Sequence, residues 1–444
     1  MSLFSAINTA ISGLKSQSSA FGNISEDVAN SQTTGFKRVD TSFVDYLTTS
    51  TPTVNEPGAV IAKPDYINNV QGAITQTDNP LGMAIAGQGF FAVSQATGQV
   101  NNVPTFNPQQ SYTRAGNFTM NSSGYLVNSA GQFLNGWSVN PATNVVDQNA
   151  LNPIQVNQST FNPVATSNVT LAANLPATPT TGTATAASPL SSQITVYDAL
   201  GTAHSITLNW TQNAANDWSV DVNVPDSTTG TTDAGAAQVQ FGSLSGNPVP
   251  EGTIGAVVAS GSDPGTVTAG GFTAGHGATL QFTTNFGSGS QTIQLNLGNY
   301  GGTTGVTQYA GTAYSLLGLT QDGVPPGNFS GVTTQANGDV IVNYNNGQTR
   351  TIAQIPLVTF NNPNALQSQN GQAFTATLGS GTPLAEAVGT NGAGNLVVGS
   401  VESSNVDIAT EFSHLIVAQQ AYSSNAKVIT TSNQMLQATL QMIA

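Results

Sequence analysis

Histidine is the side chain most often used for acid–base chemistry or metal binding near neutral pH, and this chain has three. His204 lies in a predicted hairpin, His276 in a glycine-rich loop and His414 in a predicted helix. None has a histidine or glutamate partner at the spacing of the H-x-x-x-H or H-E-x-x-H zinc motifs, and there is no cysteine. We therefore expect no catalytic residues, no metal site, no cofactor and no enzymatic activity.

The glycine motifs of the chain also lack the context that ligand binding requires. Gly87 and Gly89 resemble a fragment of a nucleotide-binding loop, but no helical pattern follows them and no lysine is near. The glycine-rich middle of the chain lacks the G-G-x-G-x-D repeats of secreted calcium-binding β-rolls. These glycines therefore indicate turns between strands.

The strongest periodic signal lies at the C-terminal end, from Val406 to Ala444. Apolar and small polar residues recur there at alternating steps of four and three, which is the heptad pattern of a coiled-coil seam. Neither proline nor glycine interrupts the segment, and Asp407 stands where the positive end of a helix favours an anion. The pattern predicts one helix about 60 Å long.

A second helix with the same steps is predicted for residues 3–29, so the two ends of the chain are expected to lie side by side. Polar residues in both stripes would weaken an isolated pair, which favours helices that complete their packing between subunits. The alternative is an antiparallel helix pair that caps a monomeric domain. The predicted subunit-packing residues are Phe4, Ile7, Ile11, Leu14, Phe21, Val28, Ile408, Phe412, Leu415, Tyr422, Ile429, Leu436 and Leu440.

The composition excludes several classes of partner. Only 6% of the residues are charged, and seven basic against twenty-one acidic residues give a net charge of -14. Binding to nucleic acid or to an anionic membrane surface needs clustered cations, so neither is expected. The absence of cysteine suits a protein exported to an oxidising space. The N-terminal residues show no signal-peptide pattern, so we expect export by another route and no membrane insertion.

Between the helices, strand and turn signals dominate. Asn121 to Gly124, Asp198 to Thr202 and Asn346-Gly347 mark hairpins, the last with a type I′ signal, and residues 169–192 read as a linker rich in Thr, Ala and Pro. The sequence therefore predicts a mainly β fold with a terminal α-helical coiled coil and nested, discontinuous domains. We expect terminal helices at 1–30 and 405–444, an extended connection at 31–71 and 391–404, a first β domain at 72–173 and 306–390, and an inserted outer β domain at 174–305.

Three blocks of the sequence together resemble the bacterial flagellar axial proteins, the family of rod and hook subunits. These blocks are SGLKSQSSAFGNISEDVANSQTTGFK, SYTRAGNFTMNSSGYLVNSAGQFLNGW and ESSNVDIATEFSHLIVAQQAYSSNAKVITTSNQMLQATL. The residues between about 174 and 305 match only loosely. In length the chain is most similar to the hook subunits, because rod subunits are usually shorter and lack a large inserted domain.

The resemblance implies a structural subunit that polymerises outside the cell into a curved, flexible tube, which transmits torque from rod to filament as a universal joint. It implies export through the flagellar secretion apparatus, and contacts with a rod protein, a hook–filament junction protein and a hook cap. The helices would form the inner wall of the tube, the first β domain its middle shell and the inserted domain its outside. In this family a phenylalanine followed four residues later by an apolar residue is recognised during export. Phe43 and Leu47 match that motif.

Two other functions remain open on the sequence. A distal rod subunit shares the terminal blocks and would differ mainly in length. A secreted β-rich adhesin, or an enzyme acting on polysaccharides, would fit the middle of the chain, which is rich in Gly and Thr. An adhesin would bind its target without the terminal helices, and an enzyme would show a carboxylate pair in a cleft.

Overall fold

The computed structural model describes residues 3–50, 55–101, 103–141, 143–177, 184–228, 230–259 and 268–443. The chain forms two compact units. Unit 1 comprises Met1–Gln158, Ser330–Asn343 and Thr349–Ala444, and unit 2 comprises Ser159–Phe329 and Tyr344–Gln348. Unit 2 is thus an insertion in unit 1.

Both predicted terminal helices are present: α1 spans Leu3–Ala29 and α2 spans Ile408–Ile443. Asp407 caps α2, because its Oδ1 accepts a hydrogen bond from the N–H of Thr410 at 3.0 Å. None of the helices that the structure describes is both long and apolar enough to cross a membrane. Among the described residues, the rest of the regular structure is strand, apart from 3₁₀ turns at Gly242–Ser245 and Pro363–Ala365.

Unit 1 contributes the first twelve strands in chain order. They are β1 (Val39–Ser50), β2 (Asn55–Tyr66), β3 (Ile74–Gln76), β4 (Met83–Ala86), β5 (Phe91–Ser94), β6 (Ala96–Val100), β7 (Val103–Phe106), β8 (Ser111–Thr113), β9 (Thr119–Met120), β10 (Leu126–Val127), β11 (Phe133–Val139) and β12 (Val146–Pro153).

Unit 2 contributes the next eleven strands. They are β13 (Asn168–Asn174), β14 (Leu190–Tyr197), β15 (Ala203–Ala214), β16 (Asp217–Asn223), β17 (Asp233–Phe241), β18 (Ile254–Ala259), β19 (Thr268–Ala269), β20 (Gly277–Asn285), β21 (Ser290–Asn299), β22 (Val306–Thr307) and β23 (Ser315–Gln321).

The last nine strands lead back to α2, nearly all of them in unit 1. They are β24 (Phe329–Thr334), β25 (Asp339–Tyr344), β26 (Thr349–Gln354), β27 (Leu357–Thr359), β28 (Gln367–Gln369), β29 (Ala373–Thr375), β30 (Leu384–Glu386), β31 (Asn395–Val398) and β32 (Ser400–Glu402).

The main sheet of unit 1 has eleven strands from both halves of the chain. Its central path runs β24-β25-β26-β11-β5-β8-β29-β28; β10 and β12 pair with β11, and β9 pairs with β10. Two small antiparallel pairs, β3 with β32 and β4 with β31, join the segment before the sheet to the segment before α2. The strands of unit 1 therefore bring the N- and C-terminal halves of the chain together beside the helices.

Unit 2 is a β-sandwich of a six-stranded and a five-stranded sheet. The five-stranded sheet is a meander in the order β14-β15-β16-β17-β18, and the other follows the path β19-β20-β21-β13-β22 with β23 paired to β13. Alternating residues of both sheets form one continuous core around Trp210, Trp218 and Phe282. This alternation of buried and exposed residues is what a strand with one face on a core requires.

The hairpins at residues 121–124, 198–202 and 345–347 are confirmed. The turn type predicted at Asn346-Gly347 is wrong, because Gly347 has a positive φ of 81° whereas Asn346 does not. A type I′ turn needs positive φ at both central residues, and the observed three-residue loop needs it only at the glycine.

Two segments differ from the sequence expectation. Unit 2 comprises Ser159–Phe329 together with Tyr344–Gln348, so it is longer than the predicted 174–305 insertion. The predicted linker begins with a strand, β13, in which Val169, Leu171 and Ala173 are buried at a period of two. The threonine, alanine and proline content of the stretch concealed this period of two. Residues 178–183 of the predicted linker lie outside the described residues.

The segments 31–71 and 391–404, predicted to be an extended connection, are also more regular than expected. β1 and β2 form a long antiparallel hairpin from Val39, paired with Tyr66, to Ser50, paired with Asn55. Pro57 and Pro64 lie within this pairing. A two-stranded ribbon has only edge strands, where a proline does not interrupt a further ladder, so the prolines did not exclude a strand.

Candidate assembly surface

The two terminal helices contact each other along α1. A Cβ atom placed on Gly13 would lie 2.9 Å from Asn425 Nδ2, so the absence of a side chain at Gly13 permits the close approach. Farther along, the rings of Phe21 and Tyr422 meet edge to face with centroids 6.3 Å apart. The contact thus combines small and aromatic residues rather than a continuous row of large aliphatic side chains.

The predicted packing residues divide into two groups in the structure. One group is half-buried within this chain: Ile7, Leu14, Phe21, Val28, Leu415, Ile429 and Leu436. The other is exposed: Phe4, Ile11, Ile408, Phe412, Tyr422 and Leu440. On α1 the four half-buried members are Ile7, Leu14, Phe21 and Val28, and the two exposed members lie in the first half of the helix. A single chain therefore covers only part of its predicted seam.

The fully buried positions of the helices lie beside the predicted stripe. On α2 they include Glu411, Ala418 and Ser432, none of which is a predicted packing residue. On α1 they include Ala20 and Ile24. The physical reason is that α1 packs against α2 on one side and against the β1–β2 hairpin on another. Its buried face is therefore wider than a coiled-coil stripe and is rotated away from it.

Further apolar residues of α2 are exposed outside the predicted seam. Val417 is 65% exposed, and Ile416, Val428 and Met435 are exposed as well. A helix that carries apolar side chains around most of its circumference is expected to be covered by other elements on several sides. In this chain α1 covers one side only, so α2 presents a long surface for association.

The β1–β2 hairpin is fastened along α1 by small polar side chains. Ser16 Oγ donates a hydrogen bond to the carbonyl of Val60 at 2.9 Å, and Ser12 Oγ accepts one from the N–H of Val60 at 3.1 Å. Asn23 Nδ2 donates to Thr41 Oγ1 at 2.9 Å. The two bonds to Val60 satisfy backbone groups on the edge of β2, which otherwise would be open to another strand.

The outer part of this hairpin is apolar and exposed. Phe43 and Leu47, the residues that match the export motif, are both exposed on β1, as are Tyr46 on the same strand and Ile61 on β2. The hairpin therefore adds a second apolar surface to the one on α2.

A buried ionic cluster joins the base of the helices to the sheets of unit 1. Glu402, fully buried at the end of β32, accepts hydrogen bonds from Lys37 Nζ at 2.5 Å and from Arg114 Nη1 at 3.0 Å. It also accepts one from the N–H of Gly72 at 2.9 Å. Lys37 donates in addition to the carbonyl of Val70. One carboxylate thus fixes three segments that are far apart in the sequence.

The charges in this cluster are held at a cost in solvation. Burial lowers the pKa of Lys37 and the pKa of Arg114, and the carboxylate of Glu402 acts in the opposite direction on both. Arg114 gains further partners in the carbonyl of Gly87, 2.7 Å from Nη2, and in the ring of Phe90, whose centroid is 5.2 Å away. Removal of Glu402 would leave two buried cations without a counter-ion.

A second group of charges lies where α1, β1 and α2 meet. Asp27 is buried and accepts hydrogen bonds from the N–H of Val39 at 3.1 and 3.2 Å. Burial raises the pKa of Asp27 to about 7, and the charges of Glu411 and Asp40 act in the same direction. Arg38 lies close by, 3.3 Å from Asp40 Oδ2 and 3.9 Å from Glu411 Oε1.

Sequence reasoning did not find either charged group, although one signal for the first was available. A chain with only seven basic residues that places Lys37 and Arg114 inside two of the three resembling blocks is expected to use them for a specific purpose. For Asp27, Asp40 and Glu411 no comparable signal exists. Their proximity arises only when the hairpin folds back along α1.

Three family descriptions match this chain. "Flagellar hook protein FlgE/F/G D1 domain" matches residues 84–174, "Flagellar basal body protein FlaE D2 domain" matches residues 164–324, and "Flagellar basal body rod FlgEFG protein C-terminal" matches residues 397–442. The second match falls within unit 2, and the third covers most of α2 with the strands before it.

Several proteins named flagellar hook protein FlgE are similar to the chain over almost its whole length. That of Brucella suis biovar 1 (strain 1330) is 28% identical, with 98% of each chain covered, and that of Rhizobium meliloti (strain 1021) is 29% identical with the same coverage. That of Escherichia coli (strain K12) is 28% identical over 97% of this chain and 98% of its own. The crystal structure of Helicobacter pylori flagellar hook protein FlgE2 is 13% identical, covers 72% of this chain and 98% of its own, and has a TM-score of 0.45.

Proposed function

This chain belongs to the flagellar rod and hook protein family and is a structural subunit of the flagellar hook, and from that premise we propose how its surfaces assemble. The terminal helices of neighbouring copies pack against one another, so that the exposed apolar residues of α2 become buried only in the polymer. The observation that carries this proposal is the exposure of Phe412, Val417 and Leu440 on a helix that α1 covers on one side.

The free energy that burial of these apolar side chains would contribute supports assembly through this surface. Burial of one large apolar side chain contributes about 1.5 to 3 kcal/mol. The entropic cost of association is about 4 to 15 kcal/mol. Once every subunit has multiple neighbours, the free energy gained by burying several such residues on each of two neighbouring helices would exceed this cost. The low charge of the chain keeps electrostatic repulsion between closely packed copies small.

We propose that the tube bends because its contacts differ in strength. The apolar helix contacts are firm, whereas unit 2 presents strand faces rich in Ser, Thr, Asn and Gln, whose contacts with another copy would be wet and shallow. A subunit of this kind can transmit torque while one side of the tube is compressed and the other extended. Such a subunit has a mechanical function, and we propose no catalytic one.

The same proposal assigns the remaining partners. A rod protein would contact the first subunits of the tube, a hook–filament junction protein the last ones, and a hook cap the growing end. Each contact would use the end surfaces that a helical polymer leaves open. The chain would reach its extracellular position through the flagellar export apparatus.

Two substitutions on α2 test the assembly surface. Phe412→Asp changes an exposed residue, so the monomer should stay folded while polymerisation is lost. Leu415→Asp changes a half-buried residue on the same helix and should weaken the monomer itself. Circular dichroism measures the helix content and electron microscopy the tubes. Tubes of normal length formed by Phe412→Asp would contradict the proposal.

The export role of Phe43 and Leu47 is tested separately. Phe43→Ala should reduce the amount of this protein secreted by a flagellated cell by at least about tenfold, because one apolar anchor of a short motif contributes a large share of its binding energy. Tyr46→Ala, which removes another exposed aromatic ring of β1, is the matched control. Equal secretion of the two variants would remove the role from Phe43.

A further inference from the structure

Three side chains with metal-ligating atoms converge where β1 meets the first turn of α2. They are Asp40, Glu411 and His414, and one ligand atom from each lies within 4.8 Å of the others. Glu411 and His414 are three residues apart and therefore neighbours on one helix face. Asp40 reaches them from the start of the hairpin. The group thus joins two elements that are remote in the sequence.

Glu411 is the unusual member of the group. Its residue is only 1% exposed, yet its Oε1 atom is buried without a hydrogen-bond partner. A buried carboxylate oxygen without a hydrogen bond is costly, because it has lost contact with water and has not gained a hydrogen bond from the protein. Glu411 lines a cavity of about 300 Å³ that Asp40, His414 and Val417 also line. The other carboxylate oxygen, Oε2, lies 3.7 Å from His414 Nδ1, and the residue as a whole lines a space that an ion can enter.

Arg38 compensates this charge incompletely. Its guanidinium lies 3.3 Å from Asp40, but at 3.9 Å it is beyond hydrogen-bond distance from Glu411 Oε1. The side chain of Arg38 is 25% exposed, so it has a path to solvent. A cation that binds both carboxylates would displace the guanidinium without having to break a buried contact.

We propose that Asp40, Glu411 and His414 bind a divalent transition-metal ion, with Zn²⁺ as the best match, which fastens the β1–β2 hairpin to α2. Two carboxylate oxygens and one imidazole nitrogen form a donor set typical of zinc, whereas calcium and magnesium prefer oxygen ligands alone. Zinc ligand distances are about 2.0 to 2.2 Å, so the three side chains close inward by rotamer changes when the ion binds. The cavity leaves room for water as the fourth ligand.

The site does not depend on polymerisation, so the monomeric full-length chain tests it. Titration with Zn²⁺ in a calorimeter should show one saturable site per chain. His414→Gln and Asp40→Asn should each weaken binding at least about tenfold, since even residues beyond the ligands change zinc affinity by that much. Arg38→Gln should strengthen binding, because it removes the competing cation.

The matched controls are His276→Gln, an exposed histidine of unit 2, and Asp45→Asn, an exposed carboxylate on the same strand as Asp40. Both should bind Zn²⁺ as the wild-type chain does. Absence of a saturable site, or an equal loss of affinity in the controls, would overturn the proposal. If a ligand variant fails to fold, the visible absorption spectrum of Co²⁺ added to the wild-type chain tests instead whether the chain binds the ion. A spectrum of hexaaqua Co²⁺, unchanged by the protein, would exclude the site.

Discussion

Unit 2 and the terminal helices bury their apolar residues in different ways. In unit 2 the large residues Trp210, Trp218, Phe241 and Phe282 are buried completely between its own two sheets. On α2, by contrast, the deeply buried positions are Glu411, Ala418 and Ser432, and most of the large apolar residues are exposed or half-buried. The first region is complete as a single copy, and the second is not.

This difference indicates that folding and assembly are assigned to separate parts of the chain. A sandwich with its own core gains its hydrophobic stabilisation before any subunit is added. A helix with exposed apolar residues gains it only when copies associate. Changes in the core of unit 2 should therefore affect stability alone, and changes on the outer faces of α1 and α2 should affect assembly alone.

Removal of unit 2 is the largest change that tests this separation. The chain enters and leaves unit 2 at adjacent points, since Phe161 and Gly327 form an antiparallel bridge. Residues 159–329 can therefore be replaced by a Gly-Ser linker of about six residues, together with Tyr344→Ser, because the ring of Tyr344 packs on Phe161. We expect complete loss of one calorimetric unfolding transition, with tubes still visible by electron microscopy.

The full-length chain prepared in parallel is the control for that experiment. If the shortened chain keeps the helix content of the wild type but forms no tubes, unit 2 provides necessary assembly contacts and the comparison fails.

Glu402→Gln should have the next largest effect, and only on unit 1. The substitution leaves Lys37 and Arg114 buried without a counter-ion, which costs about 3 to 5 kcal/mol when one partner of a buried ion pair is removed. Calorimetry of the full-length chain should show a lower melting temperature for the transition of unit 1. The melting temperature of unit 2 should not change. Glu386→Gln, at a half-exposed position, is the control and should change the stability of unit 1 by less than about 0.5 kcal/mol.

Equal shifts of both transitions in Glu402→Gln would show that the two units unfold together. Unit 2 could then no longer be regarded as a region that folds independently of the terminal helices.

Asp27→Asn should have a smaller effect that depends on pH. Burial raises the pKa of Asp27 to about 7 in the folded chain, against about 3.9 in the unfolded chain. Its protonation therefore contributes stability that is fully present below about pH 4 and is lost as the pH rises through 7. As the pH rises from about 4 to 7, the free energy of unfolding of the wild type should therefore fall by about 2 to 4 kcal/mol more than that of the variant. Urea unfolding followed by helix circular dichroism measures this.

Asp45→Asn, an exposed position on β1, should keep the pH profile of the wild type. A profile of Asp27→Asn that parallels the wild type between pH 4 and 7.5 would show that Asp27 does not control the junction of α1 and β1.

The terminal helices, the three hairpins and the mainly β class followed from the sequence, because each depends on neighbours within a few residues. The heptad pattern over 406–444 and the period of two in β16 are local properties. The β1–β2 hairpin and β13 were missed because their stability depends on a partner outside the segment. β2 is held by Ser12 and Ser16 of α1, and β13 by the sheet of unit 2.

The heptad stripes identified which helix residues are apolar, but not which of them a single chain covers. That depends on the side of α1 that the hairpin occupies, and no periodicity within a helix contains this information. The same limit applies to charge. The sequence showed that basic residues are few, and the tertiary structure alone decided that Lys37 and Arg114 share Glu402, and that Asp40 approaches Glu411 and His414. Long-range contacts of this kind form only when the chain closes loops of hundreds of residues, so local sequence cannot specify them.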